Sequence, residues 1–211
     1  MGTTMDELAL RAKTDKASDG HNYTKVYQQY LEPLRSRPLL IFELGVGGYQ
    51  HPDRGGESLK LWYNYFPHAQ IIGIDCYEKT GLTNDRVEIV KGSQDDAALM
   101  AKLVSQYGQP DLIVDDASHL TDLTVKSFEI LFPMLKPGGL YFCEDVHTSF
   151  WLEYHGHPDP AAGVATTVKF FQDMVPQLSQ DTLLQEYRNQ YAGYIEFIHF
   201  YRNLVIIKKP E

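Results

Sequence analysis

Residues 39–48 read "LLIFELGVGG": an apolar run, one carboxylate within it, then three glycines among four residues. A run this short and this apolar reads as a strand buried on both faces, the kind found in parallel sheets. The glycines that follow allow a tight turn and a close approach of backbone to a ligand. The same signature recurs down the chain. "QIIGID" (70–75), "RVEIVKG" (86–92), "DLIVDD" (111–116) and "GLYFCED" (139–145) are four further strand candidates. Apolar stripes at helical spacing lie among them: Leu59, Trp62 and Phe66, then Ala97, Met100, Ala101 and Val104, then Phe128, Leu131, Phe132 and Leu135. A fourth stripe, Val164, Val168, Phe171, Val175 and Leu178, follows the fifth strand, and Tyr23, Tyr27, Tyr30, Leu31 and Leu34 mark a helix ahead of the first. Thr4 and Glu7 have the spacing of a capping box. The end reads differently. "YIEFIHFYRNLVIIKK" (194–209) holds two β-rich runs with no room for a helix, which predicts an antiparallel hairpin. Five β-α units and a hairpin predict an α/β fold: a doubly wound, Rossmann-like sheet of seven strands.

The bulk composition narrows the function. The 211 residues fit one α/β domain, and 43% hydrophobic with 22% charged residues is ordinary for a globular protein. With 19 basic against 28 acidic residues, the net charge of −9 argues against nucleic acid or an anionic membrane as partner. Cys76 and Cys143 have no metal-ligand spacing, and a reducing compartment suits them. No signal peptide or membrane span is evident, so a cytoplasmic protein is expected.

In open α/β sheets ligands bind at the carboxyl ends of the strands, and the candidate residues lie there. Gly45 and Gly47 follow the first strand, but Gln50 stands where a G-x-G-x-x-G pattern needs its third glycine. Glu43 beside this turn suits a cofactor with a cationic amino-acid tail, such as S-adenosylmethionine. Asp75 ends the second strand, where an acidic side chain can accept hydrogen bonds from ribose hydroxyls. After the third come Ser93, a candidate helix cap, and Gln94 or Asp95, within reach of an adenine amino group. Strands four and five end in Asp115-Asp116 and Glu144-Asp145. Helix capping explains one such carboxylate and not four. Oxygen donors without a thiolate suit Mg²⁺, with Asp116, Glu144 and Asp145 as ligands and Asp115 left to face the cofactor. His119, read at the start of the next helix, is the candidate general base. His147, His155 and His157 are read as solvated or substrate-facing.

"IVDDASH", "CEDVHTSFW", "ELGVGG" and "KTDKASDGHNY" together resemble the metal-dependent sugar O-methyltransferases of antibiotic biosynthesis, of the macrolide, mycinamicin type. These are class I S-adenosylmethionine-dependent enzymes. The resemblance implies Mg²⁺ on Asp116, Glu144 and Asp145, His119 as base, and a segment from Thr14 to Tyr23 folded over the cofactor. It implies an N-terminal helical segment, residues 1–37, ahead of a methyltransferase domain over 38–211. It departs from the family in Ala117, where glycine is common, and the chain is expected to lack the family's N-terminal auxiliary domain. The expected acceptor is a small molecule, a sugar or glycosylated metabolite, with Phe150, Trp151 and Tyr154 available to cover it. The resemblance allows a homo-oligomer. Three other readings stand beside this one: a catechol-type methyltransferase, a non-catalytic cofactor-binding protein and a nicotinamide-dependent dehydrogenase.

Overall fold

The computed structural model of the protein describes residues 2–211. The chain divides after Ser93 into two compact units.

The first unit opens with α1 (Met5–Ala12), whose N-terminus carries the expected capping box: Thr4 Oγ1 accepts from Glu7 N while Glu7 Oε2 accepts from Thr4 N. Helix α2 (Thr24–Leu31) stops short of the predicted stripe, because Pro33 turns residues 32–34 into a 3-10 turn. Strands β1 (Leu40–Leu44), β2 (Gln70–Asp75) and β3 (Val87–Lys91) are parallel, with β2 in the middle. Every residue of β1 is buried. Helix α3 (Glu57–Tyr65) follows β1 and presents Leu59, Leu61, Trp62 and Tyr65 to the interior. Gly73, in the middle strand, is a packing requirement: a Cβ there would stand 2.9 Å from Val46 and 3.2 Å from Leu59. The second of the five expected β-α units lacks a helix. Residues 76–86 join β2 to β3 without a helix, since that stretch is polar and carries Gly81 at φ 77°.

The second unit holds α4 (Ala97–Tyr107), β4 (Leu112–Asp115), α5 (Thr121–Met134), β5 (Leu140–Cys143), α6 (Thr167–Asp173), β6 (Phe197–Tyr201) and β7 (Leu204–Lys208). Strands β4 and β5 run parallel, whereas β7 lies antiparallel to β5 on one side and to β6 on the other. The predicted hairpin is the β6–β7 pair, closed by Arg202 and Asn203, with Asn203 at φ 62°. Asp96, not Ser93, caps α4: its Oδ1 accepts from Leu99 N. The stripe from Val164 to Leu178 overreached. Thr166 caps a helix of seven residues, Pro176 turns the chain into a 3-10 segment, and Val164, Val175 and Leu178 are exposed while Phe171 is buried. Among the described residues, no helix is long and apolar enough to cross a membrane.

Candidate active site

In the first unit the candidate residues gather behind β1 and β2. Gly45 and Gly47 hold φ of 86° and 77°, so the turn after β1 uses the left-handed freedom expected of it. Asp75 ties that turn to β2. Its Oδ2 accepts from Val46 N at 2.9 Å and its Oδ1 from Tyr77 N at 2.8 Å. Each oxygen keeps a further lone pair for a ligand hydroxyl. The loop beyond is braced by a residue the sequence did not flag. Lys79, buried, points Nζ at the carbonyls of Tyr49 (2.6 Å) and His51 (3.2 Å).

Glu43 is fully buried. Its Oε2 accepts from Trp62 Nε1 at 2.7 Å, and its Oε1 lies 3.9 Å from Lys16 Nζ, equally buried. Lys16 belongs to the segment expected to fold over a cofactor, and Thr14 and Tyr23 flank it, both buried. The ion pair therefore fastens that segment to the end of β1. Ser93 is exposed at the close of this unit.

In the second unit the carboxylates separate into two sets. Asp115 points inward. Its Oδ2 accepts hydrogen bonds from the hydroxyls of Ser127 and Tyr141, and burial pushes its pKa up to about 6 against those bonds. One oxygen of the carboxylate expected to face a cofactor is thus committed to the core. Gln94 is buried as well. Its Nε2 reaches Ser127 Oγ at 3.4 Å and its Oε1 accepts from Ser118 N at 3.1 Å, so both ends of its amide serve the second unit.

Asp116, His119 and Asp145 form the other set. One ligand atom from each lies within 4.8 Å of the others. His119 Nε2 stands 3.8 Å from Asp116 Oδ1 and 3.7 Å from Asp145 Oδ2, and His147 Nδ1 lies 3.9 Å from Asp145 Oδ1. Parallel pairing makes this convergence. Asp115 is in register with Cys143, so Asp116 and the Glu144-Asp145 pair leave neighbouring strand ends together. Glu144, the third ligand expected, is buried and outside the group of three. His119 does not begin α5. It precedes the helix at φ 57°, and Asp145 likewise stands at φ 52°. Left-handed backbone at a histidine or an aspartate is uncommon; His119 and Asp145 hold it where their side chains converge, and His155 holds it at φ 60° outside the group.

An aromatic wall rises beside this group. Tyr154 is 6.3 Å from the His119 ring, Trp151 is 5.8 Å from Tyr154, and His147 meets Trp151 edge-on at 4.9 Å. Trp151 and Phe150 are exposed. His155 is held away from the group by Asp122, with Nδ1 and Oδ1 2.7 Å apart.

No family model matches the chain. Curated relatives do. The chain is 35% identical over 208 residues to 8-demethyl-8-(2-methoxy-alpha-L-rhamnosyl)-tetracenomycin-C 3'-O-methyltransferase of Streptomyces olivaceus, covering 97% of this chain and 53% of the relative. It is 32% identical to mycinamicin VI 2''-O-methyltransferase of Micromonospora griseorubida (97% and 52% covered), and 34% identical to demethylmacrocin O-methyltransferase of Streptomyces fradiae (97% and 53%). The solved structure of MycE methyltransferase from the mycinamycin biosynthetic pathway, in complex with Mg and SAH, matches all of this chain and 54% of its own, at 31% identity and a TM-score of 0.94. That likeness establishes the expected fold, the seven-stranded class I methyltransferase arrangement with its antiparallel C-terminal hairpin. The chain spans about half the length of the curated relatives it matches, and over that span it resembles the sugar O-methyltransferases of antibiotic biosynthesis.

Proposed function

We propose that the chain carries an S-adenosylmethionine-dependent O-methyltransferase that methylates a hydroxyl of a sugar or glycosylated natural product, with Mg²⁺ as its metal. The observation that carries this reading is the convergence of Asp116, His119 and Asp145 within 4.8 Å. The likeness to a methyltransferase solved with Mg and SAH supports it. Two carboxylates and an imidazole, without a thiolate, suit a hard divalent cation. Asp116 and Asp145 would hold the metal, with Glu144 as the third ligand that the resemblance implies. A bound Mg²⁺ would supply Lewis acidity to the accepting hydroxyl and fix its position.

The chain's own residues do the rest. On the cofactor side the reading takes Thr14, Tyr23, Glu43, Gly45, Gly47, Asp75 and Ser93 as the binding residues, with Glu43 and Asp75 nearest the amino-acid tail and the ribose. His119 Nε2 accepts the proton of the acceptor hydroxyl as that oxygen bonds to the methyl carbon. The electron pair of the broken carbon–sulfur bond stays on sulfur, leaving S-adenosylhomocysteine. Trp151 and Tyr154 offer flat apolar faces against which the C–H groups of a sugar can lie.

The same geometry supports a second role for His119. His119 belongs to the group of three potential ligands, so it can bind the metal instead of taking the proton. The two roles separate in Mn²⁺ titrations of His119→Ala: a ligand's loss weakens binding, and a base's loss leaves it. For the main reading, methyl transfer from labelled S-adenosylmethionine is measured on glycosylated macrolide and polyketide acceptors, with EDTA and after restoring Mg²⁺. Transfer that stops with EDTA and returns with Mg²⁺ is expected. Transfer to catechols and to no sugar would reassign the acceptor, and unimpaired transfer in demetallated protein would remove the metal from the reading.

A further inference from the structure

Thr148 lies in the 3-10 turn after β5, buried, and touches neither of the carboxylates it sits behind. Its hydroxyl faces two carbonyl oxygens. One belongs to Asp145, at 2.9 Å, and the other to His119, at 3.2 Å. These are the two residues of the candidate metal group that hold left-handed backbone, φ 52° and 57°. A bond from a threonine hydroxyl back to a carbonyl three residues earlier is a common local device that any short helix uses. The bond to His119 is not local. It spans 29 positions in sequence and joins the loop after β4 to the loop after β5.

A left-handed histidine and a left-handed aspartate persist only where the surroundings over-determine them. Around His119 the determinants can be named. Ser118 N is held by Gln94 Oε1, Leu120 N donates to Ser118 Oγ at 3.3 Å, and the His119 carbonyl meets Thr148. Around Asp145 its carbonyl accepts from both Thr148 N, at 3.1 Å, and the Thr148 hydroxyl. Thr148 is the residue common to both loops. The two carbonyls its hydroxyl faces belong to the turns that carry the His119 ring and the Asp145 carboxylate.

We infer that Thr148 is a positioning residue: its hydroxyl clamps the Asp145 turn to the His119 turn and so fixes the Asp145 carboxylate for the divalent metal, with His119 beside it. The inference rests on the metal reading given above. Groups that orient metal ligands without touching the metal typically change affinity by roughly 10- to 100-fold when lost.

The test compares Thr148→Val, close in shape and without the hydroxyl, with Thr148→Ser, which keeps it. Mn²⁺ binding is followed by electron paramagnetic resonance, and S-adenosylhomocysteine binding by calorimetry. The valine variant is expected to bind Mn²⁺ at least about tenfold more weakly, with unchanged cofactor affinity, and the serine variant to bind as the wild type does. Wild-type Mn²⁺ affinity in folded Thr148→Val overturns the clamp. Serine as weak as valine overturns it too, because the methyl group and not the hydroxyl would then matter. If the valine variant fails to fold, Thr148→Ala against Thr148→Ser carries the same comparison. Metal-free crystal structures separate the clamp from the metal reading. A wild type that binds no Mn²⁺ removes the metal reading alone. The clamp then stands if Asp116, His119 and Asp145 spread apart in the valine variant, and falls if they do not.

Discussion

At Glu43 the sequence and the structure point to different roles. A carboxylate beside a glycine turn suggested a ligand for a cationic tail. The structure adds Lys16, which a sequence reader leaves at the surface because lysine is almost never fully buried unless paired. Here it is fully buried, with Nζ 3.9 Å from Glu43 Oε1. Removing one partner of such a pair is far more damaging than removing both. Glu43→Ala is therefore expected to lower stability by roughly 3–5 kcal/mol, seen as an earlier urea midpoint, before any effect on cofactor binding is measured. A midpoint unmoved from wild type would show that the pair is not structural. The double variant Lys16→Met, Glu43→Leu should recover much of the loss and still fail to bind S-adenosylmethionine. For His119 the expected loss lies in the chemical step. His119→Ala should slow single-turnover transfer by roughly 10²–10⁴-fold with both substrates saturating. A rate within a few-fold of wild type at every pH would remove it as the base.

At the scale of elements, the anchoring of residues 13–24 decides whether a covering segment is held in place. Asp6 holds it. Its carboxylate accepts from Ser18 N (2.8 Å), Ser18 Oγ (2.6 Å) and Thr24 Oγ1 (2.7 Å). Partial burial pulls its pKa up, but these hydrogen bonds outweigh burial and leave it below 3.8. A carboxyl whose folded pKa is depressed contributes stability above its unfolded pKa, and loses it as pH falls through the folded value. Asp6→Asn should therefore speed amide exchange over residues 14–24 at neutral pH. The difference from wild type should shrink as pH drops below about 3.8. Equal exchange at pH 7 would show that Asp6 does not anchor the segment. The elements themselves were mostly legible. The first five strands and the closing hairpin carry their signal in continuous apolar runs, and Thr4 with Glu7 announced its helix. Legibility ended where a single residue overrides a periodic pattern. Pro176 cut the helix read through Val164–Leu178, and the turn carrying His119 looked like the start of α5 because nothing in "DDASHL" marks a left-handed backbone. Hydroxyls that act at a distance, those of Thr148, Ser127 and Tyr141, leave no trace in spacing at all.

For the whole molecule, the two cysteines report on opening without perturbing the site. Cys76 is exposed, whereas Cys143 is buried, and burial pushes its thiol well above the ordinary range, with the carboxylates of Asp115 and Glu144 adding to the effect. A buried, protonated thiol is inert until the structure around it opens. Cys143 ends β5 and directly precedes Glu144 and Asp145, so the opening that exposes it also disassembles the proposed metal group. In native buffer one thiol per chain, that of Cys76, should label quickly, and Cys143 should label at the rate set by opening of the second unit. A ligand that binds only the closed form lowers the open population by the factor 1 + [L]/Kd, about 100-fold at a hundred times Kd. Adding Mg²⁺ should slow Cys143 labelling by that factor while Cys76, in the first unit, labels as before. Replacing Asp116 and Asp145 with asparagine should abolish the protection. Protection that survives those changes would move the metal elsewhere, and Cys143 labelling as fast as Cys76 would mean that the end of β5 is not closed in solution.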